Sequence, residues 1–237
     1  VSRIETEMLL EYLFNCAKLD LYVRDFAVNE TVEELYDSLI NRRLGGEPVQ
    51  YITGQAEFMG LDFIVTKDTF IPRPETELLV NEVINSSLLR KSPAAASEVE
   101  NGRKIRILDL CTGSGNIAIS LVRLIPQAEI IATDVSDAAL KIAEKNAARH
   151  DAGGRIKFYR GNLFNALIFD KTPKFDIIVC NPPYIKHWDF PFLQDEVKRE
   201  PEISLNGGKD GLDFYRAIAN SARRYLKKSG SILLEIG

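Results

Sequence analysis

Residues 105–125 have the sequence IRILDLCTGSGNIAISLVRLI, an apolar run, a glycine-containing turn and a second apolar run. The first run, IRILDL, predicts a buried strand, and NIAISLVRLI predicts a helix that ends near Pro126. The glycines of Thr112–Gly115 permit a tight turn and let the backbone approach a ligand closely. In open α/β sheets, ligands bind at the carboxyl ends of the strands, so this turn is a candidate ligand site.

The same alternation of strands and helices continues towards the C-terminus. Strands are predicted at AEIIATD (128–134), IKFYRG (156–161), FDIIVCN (175–181) and SILLEIG (231–237), and helices at 137–150 and 212–228. Such alternation implies βαβ units and a parallel sheet with helices on both faces. We therefore expect an α/β fold of the doubly wound, Rossmann-like type.

The first 72 residues have a different pattern. Apolar residues at helical spacing predict helices up to about Arg43, and a capping box at Thr31 and Glu34 precedes the second of them. Strand-like segments follow at 51–53, 56–58 and 61–65. The chain thus changes from helices to a hairpin before the α/β pattern begins.

We divide the chain into three parts on this basis. They are an N-terminal helical domain at 1–45, a β-hairpin linker at 46–72 and the α/β domain at 73–237. The α/β domain is expected to begin with a helix from Pro74 to about Leu89, followed by an exposed loop at 92–102. Because the chain begins without Met and stops beside a predicted strand, we expect the α/β domain to be incomplete at its C-terminus.

Composition narrows the class of protein. With 45% hydrophobic and 27% charged residues, the 237-residue chain has an ordinary globular composition. A net charge of -4 and a pI near 5.4 argue against stable nucleic-acid binding through a basic surface. The three cysteines and two histidines have no metal-ligand spacing, which predicts no metal site and a reducing compartment. No stretch approaches the roughly 20 apolar residues of a membrane span, so a cytoplasmic protein is expected.

Two acidic residues favour S-adenosylmethionine as the ligand of the turn. Asp109 lies directly before the turn, where a carboxylate can hold the cofactor's ammonium group, directly or through water. Asp134 ends the next strand about twenty residues later, where an acid can accept both ribose hydroxyls. NAD sites carry the same acid, and GSGNIA fits the dinucleotide motif in its looser form, so Asp134 does not separate the two cofactors. It can also be a helix N-terminal acid, although Ser136 can cap that helix.

Asn162 and Leu163 follow the third strand of the predicted sheet. The amide oxygen of Asn162 can accept a hydrogen bond from an adenine amino group. Leu163 can pack on the adenine face, or it can belong to the core.

The tetrapeptide Asn181-Pro182-Pro183-Tyr184 follows the FDIIVC strand and indicates the chemistry. A planar NH2 group conjugated to a carbonyl is a poor nucleophile, so it must be aligned with the methyl group it attacks. The Asn181 side-chain oxygen and the Pro182 carbonyl can accept its two hydrogens, and Tyr184 offers a flat packing face. Catalysis then rests on orientation and electrostatics rather than on a titrating base.

With these motifs the chain resembles the HemK/PrmC family of glutamine methyltransferases over nearly its whole length. The likeness is carried by GEPVQYITGQAEFMGLDFIV (46–65), FIPRPETELLV (70–80), LDLCTGSGNIAISL (108–121), NPPYI (181–185) and LNGGKDGLDFYRAI (205–218). The resemblance implies a class I methyltransferase domain that uses S-adenosyl-L-methionine and yields S-adenosyl-L-homocysteine. It also implies that the N-terminal domain docks class 1 peptide chain release factors. The enzyme would methylate the side-chain amide nitrogen of their Gly-Gly-Gln glutamine, and this modification would modulate translation termination.

The resemblance also assigns residues by position. Cofactor-binding residues are expected at Asp109, Cys111, Thr112, Gly113, Ser114, Gly115, Asp134, Asn162, Leu163 and Asn181, and substrate-binding residues at Phe70, Pro72, Arg73, Asn181, Pro182, Pro183 and Tyr184. Asn181, Pro182 and Tyr184 are the expected catalytic residues. Cys111 and Asn162 depart from the family, which more often has Gly and an acid there, and the family's further strands after EIG are absent. A monomer is expected.

Rival substrates remain at this point. They are a glutamine of a ribosomal protein and an exocyclic amino group of DNA or RNA, which would be methylated by the same chemistry. A DNA enzyme usually needs a target-recognition domain and a basic surface, and neither is evident. A non-catalytic scaffold that only binds the cofactor has no need of the geometry that Asn181 and Tyr184 provide.

Overall fold

The computed structural model of the chain describes residues 1–86, 104–167 and 173–237. The N-terminal part contains four helices and a β-hairpin. They are α1 Arg3–Phe14, α2 Asp20–Val23, α3 Glu30–Leu44, α4 Val49–Thr53, β1 Gln55–Phe58 and β2 Leu61–Ile64. The hairpin strands are antiparallel, with Ala56 opposite Phe63.

Besides short 3-10 helices, the described ranges of the α/β part contain four further α-helices and five strands. They are α5 Pro74–Asn85, β3 Ile105–Leu110, α6 Asn116–Leu124, β4 Ala128–Asp134, α7 Asp137–Arg149, β5 Ile156–Arg160, β6 Phe175–Cys180, α8 Asp213–Ser221 and β7 Leu226–Leu234. The strand order is β5-β4-β3-β6-β7, and each pair of neighbours is parallel. The predicted doubly wound α/β fold is confirmed.

The sheet has a core on each face because strand side chains alternate in direction. Ile107 and Val179 belong to the cluster on one face, which also includes α5, α6 and the hairpin. Leu108 and Ile178 belong to the cluster on the other face, with Ile218 of α8. From the central strand β3, the chain builds outwards first through β4 and β5 and then through β6 and β7. The strand order therefore reverses between β3 and β6, where ligands bind in such folds.

Buried Asn146 of α7 joins the hairpin to the glycine-containing turn. Its Oδ1 accepts from the backbone N–H of Ile64 at 2.7 Å. Its Nδ2 donates to the backbone oxygens of Ile64 at 3.0 Å and of Ser114 at 2.9 Å. Because a buried amide satisfied in this way is rigid, the hairpin and the turn hold a fixed relation.

Ion pairs connect the helical part to the segment after the NPPY tetrapeptide. Arg43 of α3 contacts Glu5 at 2.6 Å and Glu196 at 2.7 Å. Arg199 donates to the backbone oxygen of Gly45 at 2.8 Å. The first 46 residues are thus fastened to residues 196–199.

Four local predictions are wrong. Residues 51–53, predicted as strand, lie in α4, which ends at Gly54 (φ +72). The spacing of Val49 and Ile52 packs both against Leu9 of α1, and this burial overrides the β-branched composition.

The second correction concerns the start of α3. Its N-cap is Asn29, whose side chain accepts from Val32 N at 3.0 Å, so Thr31 and Glu34 do not form the predicted capping box. The reciprocal box occurs instead at α1, between Ser2 and Glu5.

The third correction concerns residues 212–228, predicted as one helix. Helix α8 ends at Ser221, and β7 already begins at Leu226. Pairing of Leu226 with Phe175 of β6 explains why Leu226 and the two lysines after it, all helix formers, are in a strand.

The fourth correction concerns α5, which ends at Asn85 rather than Leu89. The loop predicted at 92–102 lies outside the described residues. No helix in the described part of the chain is long and apolar enough to cross a membrane.

Candidate active site

A cavity of about 550 Å³ lies at the carboxyl ends of β3, β4 and β6. This is the point where the strand order reverses. The predicted site residues on its wall are Phe70, Pro72, Arg73, Cys111, Thr112, Gly113, Ser114, Asp134, Asn162, Leu163, Asn181, Pro182, Pro183 and Tyr184. The fold therefore brings together residues that are more than 100 positions apart in sequence, such as Phe70 and Tyr184.

Asp109 holds the glycine-containing turn through a hydrogen bond with Thr112. Its Oδ2 accepts from Thr112 Oγ1 at 2.6 Å, while Oδ1 is buried and has no hydrogen-bond partner within the described ranges. Burial raises the Asp109 pKa to about 7. Asp109 is fully buried and does not line the cavity, so Thr112 stands between this carboxylate and the cavity.

Gly115, the last residue of the turn, is likewise not among the residues that line the cavity. It has a φ of +82° and is the N-cap of α6. A Cβ there would lie 3.1 Å from Ala143 Cβ and from Ile119 Cδ1. The absence of a side chain at Gly115 thus serves helix packing, and the cavity wall uses Gly113 instead.

Asp134 lies at the end of β4 and faces the cavity. Its Oδ2 accepts from Gly113 N, and its Oδ1 accepts from Ser136 N, both at 2.9 Å. Burial raises its pKa, and the two N–H donors oppose that effect. Each oxygen keeps a lone pair for a further donor. Ser136 caps α7 through Ala139 N at 3.1 Å, as the sequence allowed.

Asn162 and Leu163 form the next part of the wall. Asn162 is the N-cap of a short 3-10 helix, Leu163–Ala166, and its side chain makes no capping hydrogen bond. Leu163 has a φ of +48° and is 9% exposed. The amide and the apolar side chain thus lie side by side on the cavity wall.

Asn181 begins the NPPY tetrapeptide at the end of β6. Its Nδ2 donates to Thr76 Oγ1 of α5 at 3.1 Å, and Thr76 is itself buried at the cavity wall. The side chain of Glu235, which follows β7, lies beside both Thr76 and Asn181. The NH2 end of the Asn181 amide is thus held, and Oδ1, the other end, accepts no hydrogen bond within the described residues.

Arg73 enters the site through an ion pair with Glu200, whose side chain is 1% exposed. Glu200 also accepts from Ile71 N at 2.9 Å, and the Arg73 guanidinium lies 4.7 Å from the Phe70 ring centroid. Burial raises the pKa of Glu200, and the Arg73 charge lowers it. These contacts fix the Phe70–Arg73 segment against the rim.

Sequence reasoning missed Thr76, Glu200 and Glu235. Thr76 is part of the IPRPETE motif and could have been suspected from its place beside Arg73. Neither Glu200 nor Glu235 has a local signal, because both acquire their surroundings only through chain folding.

A fold with this strand order, a glycine-containing turn after its central strand and NPPY at the neighbouring strand end defines a class I S-adenosylmethionine-dependent methyltransferase. Family models agree, since residues 90–196 match "Methyltransferase small domain" and residues 2–54 match "PrmC N-terminal domain". The hMettl16 catalytic domain, solved with MAT2A 3'UTR hairpin 6, shares the fold with a TM-score of 0.54 at 18% identity, over 71% of this chain and 59% of that one.

Curated relatives define the family. A release factor glutamine methyltransferase of Geobacter sulfurreducens is 40% identical over 100% of this chain and 77% of its own length. Another, from Clostridium acetobutylicum, is 38% identical over 98% of this chain and 78% of its own length. The chain belongs to the release factor glutamine methyltransferase family.

Proposed function

We propose that this chain transfers the methyl group of S-adenosylmethionine to the side-chain amide nitrogen of the Gly-Gly-Gln glutamine in class 1 peptide chain release factors. The observation that carries the proposal is the Asn181 amide on the cavity wall. Its NH2 end is held by Thr76, and its carbonyl accepts no hydrogen bond within the described part of the chain. Family membership supports the same substrate.

The donor set fits the cofactor. Asp134 keeps acceptor capacity for ribose hydroxyls, Asn162 offers an amide for adenine, and Leu163 supplies an apolar surface beside it. Residues Cys111–Ser114 line the same cavity, where their backbone N–H groups would hold the cofactor's amino acid part. A cavity of about 550 Å³ is also within the usual range of ligand sites. When bound, the cofactor supplies an electrophilic sulfonium methyl group.

The chain's own contribution is orientation. The carbonyl oxygens of Asn181 and Pro182 accept hydrogen bonds from the two N–H groups of the glutamine amide. These bonds orient the nitrogen lone pair towards the methyl group. The same oxygens stabilise the positive charge that develops on that nitrogen. Tyr184 packs on the planar amide. The extra proton leaves after transfer, so no side chain has to remove it beforehand.

We further propose that the helical part docks the release factor and reaches to Thr53 rather than residue 45. Helix α4 shares a core with α1 and α3 through Val49 and Ile52.

Two exposed apolar side chains at the mouth of the cavity suit contact with a protein loop. Phe192 is 86% exposed and Ile203 is 57% exposed.

Transfer of labelled methyl tests the substrate. The protein is incubated with labelled S-adenosylmethionine and a release factor, and in parallel with the same release factor carrying Ala for the Gly-Gly-Gln glutamine. Label is expected in the first sample and absent from the second. A third sample contains DNA and RNA fragments in place of the release factor, and label there, with none in the release factor, would overturn the proposal.

A further inference from the structure

Glu235 is the first residue after β7 and is placed by backbone contacts on both sides. Its N–H donates to the Cys180 oxygen at 3.0 Å, which extends the β6–β7 pairing by one residue. Its own carbonyl accepts from Tyr215 Oη at 2.9 Å. Because β6 and β7 are parallel, Glu235 lies next to Asn181, the first residue after β6.

The side chain of Glu235 meets the polar groups that hold Asn181. Thr76 and Asn181 lie beside its carboxylate and lower its pKa, while burial, the larger effect, raises it. Its Oε2 is buried without a hydrogen-bond partner among described residues. Gly237, two residues on, leaves no space for a side chain against the Tyr184 ring. The segment after β7 thus backs the NPPY tetrapeptide.

Hydrogen-bond direction between Thr76 and Asn181 is given by their contact, in which Asn181 Nδ2 donates to Thr76 Oγ1 at 3.1 Å. The hydroxyl hydrogen of Thr76 can then point at the neighbouring Glu235 carboxylate, which only accepts. A carboxylate beside the amide also favours the NH2 end on its own side. The Asn181 carbonyl is consequently the end turned away from Thr76.

We propose that Glu235, acting with Thr76, is a positioning residue that fixes the orientation of the Asn181 amide for the methyl transfer. The inference deepens the proposed function and rests on it. With a neutral or absent side chain at 235, Thr76 can reverse its hydroxyl and the Asn181 amide can turn over, presenting NH2 to a substrate that also has NH2. Two donors then face each other, and the substrate nitrogen is not aligned.

Steady-state kinetics with the release factor test this. Glu235→Ala is expected to lower kcat about 100-fold, the scale of a misplaced catalytic group, with the affinity for S-adenosylmethionine unchanged. Glu235→Gln, which keeps one acceptor oxygen, should recover part of the loss. Thr76→Val should lower kcat, and Thr76→Ser should restore it. The matched control is exposed Glu75→Gln, a neighbouring carboxylate on α5, which should keep kcat within about twofold.

The pH profile separates positioning from a packing role. Burial raises the pKa of Glu235, so kcat should fall on the acid side at a higher pH than for an ordinary glutamate, and Glu235→Gln should lack this decline. The charged or titratable groups facing Glu235 are Arg73, Glu75, Tyr184 and Tyr215. Glu75→Gln should retain the decline, which excludes Glu75 as its source.

The side-chain amide of Asn181 gives a readout that does not need activity. Its NMR resonance, assigned by its loss in Asn181→Ala, should shift and exchange faster in Glu235→Ala but not in Glu75→Gln. Wild-type protein that fails to methylate the release factor would refute the proposed function, and the NMR comparison would then decide the inference. Active Glu235→Ala with wild-type kcat and an unchanged Asn181 resonance would overturn it.

Discussion

Replacement of Asn146 by alanine should destabilise the whole chain and loosen the glycine-containing turn. The side chain is fully buried and makes three hydrogen bonds to backbone groups of Ile64 and Ser114. Each is worth about 1 kcal/mol net, and any backbone group left buried and unpaired adds a further penalty. We therefore expect the free energy of unfolding to fall by about 3 kcal/mol.

That loss corresponds to a decrease in Tm of roughly 6–12 °C for a chain of this size. Denaturation in urea, followed by circular dichroism, measures the change in unfolding free energy, and a thermal scan measures Tm. Exposed Lys145→Ala on the same helix is the control. Alanine is the better helix former, so the control should be neutral or slightly stabilising. Since Ser114 lies on the cavity wall, Asn146→Ala should also bind S-adenosylmethionine more weakly. A change in unfolding free energy below about 1 kcal/mol, within the range of an ordinary surface substitution, would refute the assigned network.

Three further predictions concern the site. Asn181→Ala should lower the kcat of methyl transfer by at least about 100-fold, while calorimetry finds that cofactor affinity is largely kept. Transfer at the wild-type rate would exclude the amide as the acceptor of the substrate hydrogens. Asp134→Ala should weaken S-adenosylmethionine binding about 10- to 100-fold, since charge-assisted hydrogen bonds contribute about 1.5–3 kcal/mol, and unchanged affinity would remove Asp134 from the ribose assignment. Burial raises the Asp109 pKa to about 7, above the ordinary 3.8, so the folded state binds the proton more tightly and this group makes stability fall as pH rises between those values. Asp109→Asn should therefore lose that part of the pH dependence in unfolding measurements at pH 5 and pH 8, and an identical slope in both proteins would contradict it.

The sequence predicted the fold, and most of the site residues it proposed lie on the cavity wall, because the deciding signals are local. IRILDL, the following turn and the next helix are contiguous, and both NPPY and Asp134 lie directly at strand ends. Parallel strands meet at one edge, so residues at their carboxyl ends meet there too. Adjacency to the turn did not decide exposure, however. Asp109 faces into the protein although Cys111, two residues on, lines the cavity.

What sequence could not supply depends on tertiary pairing. Thr76 is 105 positions from Asn181 and α5 precedes the sheet, so no local pattern joins them. The lysines after Leu226 are good helix formers, and only the partnership with β6 makes their segment a strand. The short helix α4 is composed of residues that favour strands, and it exists because Val49 and Ile52 complete the core of the helical part.

The Arg43 guanidinium, shared between Glu5 and Glu196, has a consequence for dissecting the protein. Deleting the first 46 residues would remove Arg43 and also the Gly45 carbonyl that Arg199 uses. Glu196 and Arg199 flank Val197, which lines the cavity, so the truncated enzyme would lose support for its own rim along with the surface that we propose docks the release factor. Weak activity in such a fragment would therefore reflect a destabilised cavity rim as well as the loss of the N-terminal helices.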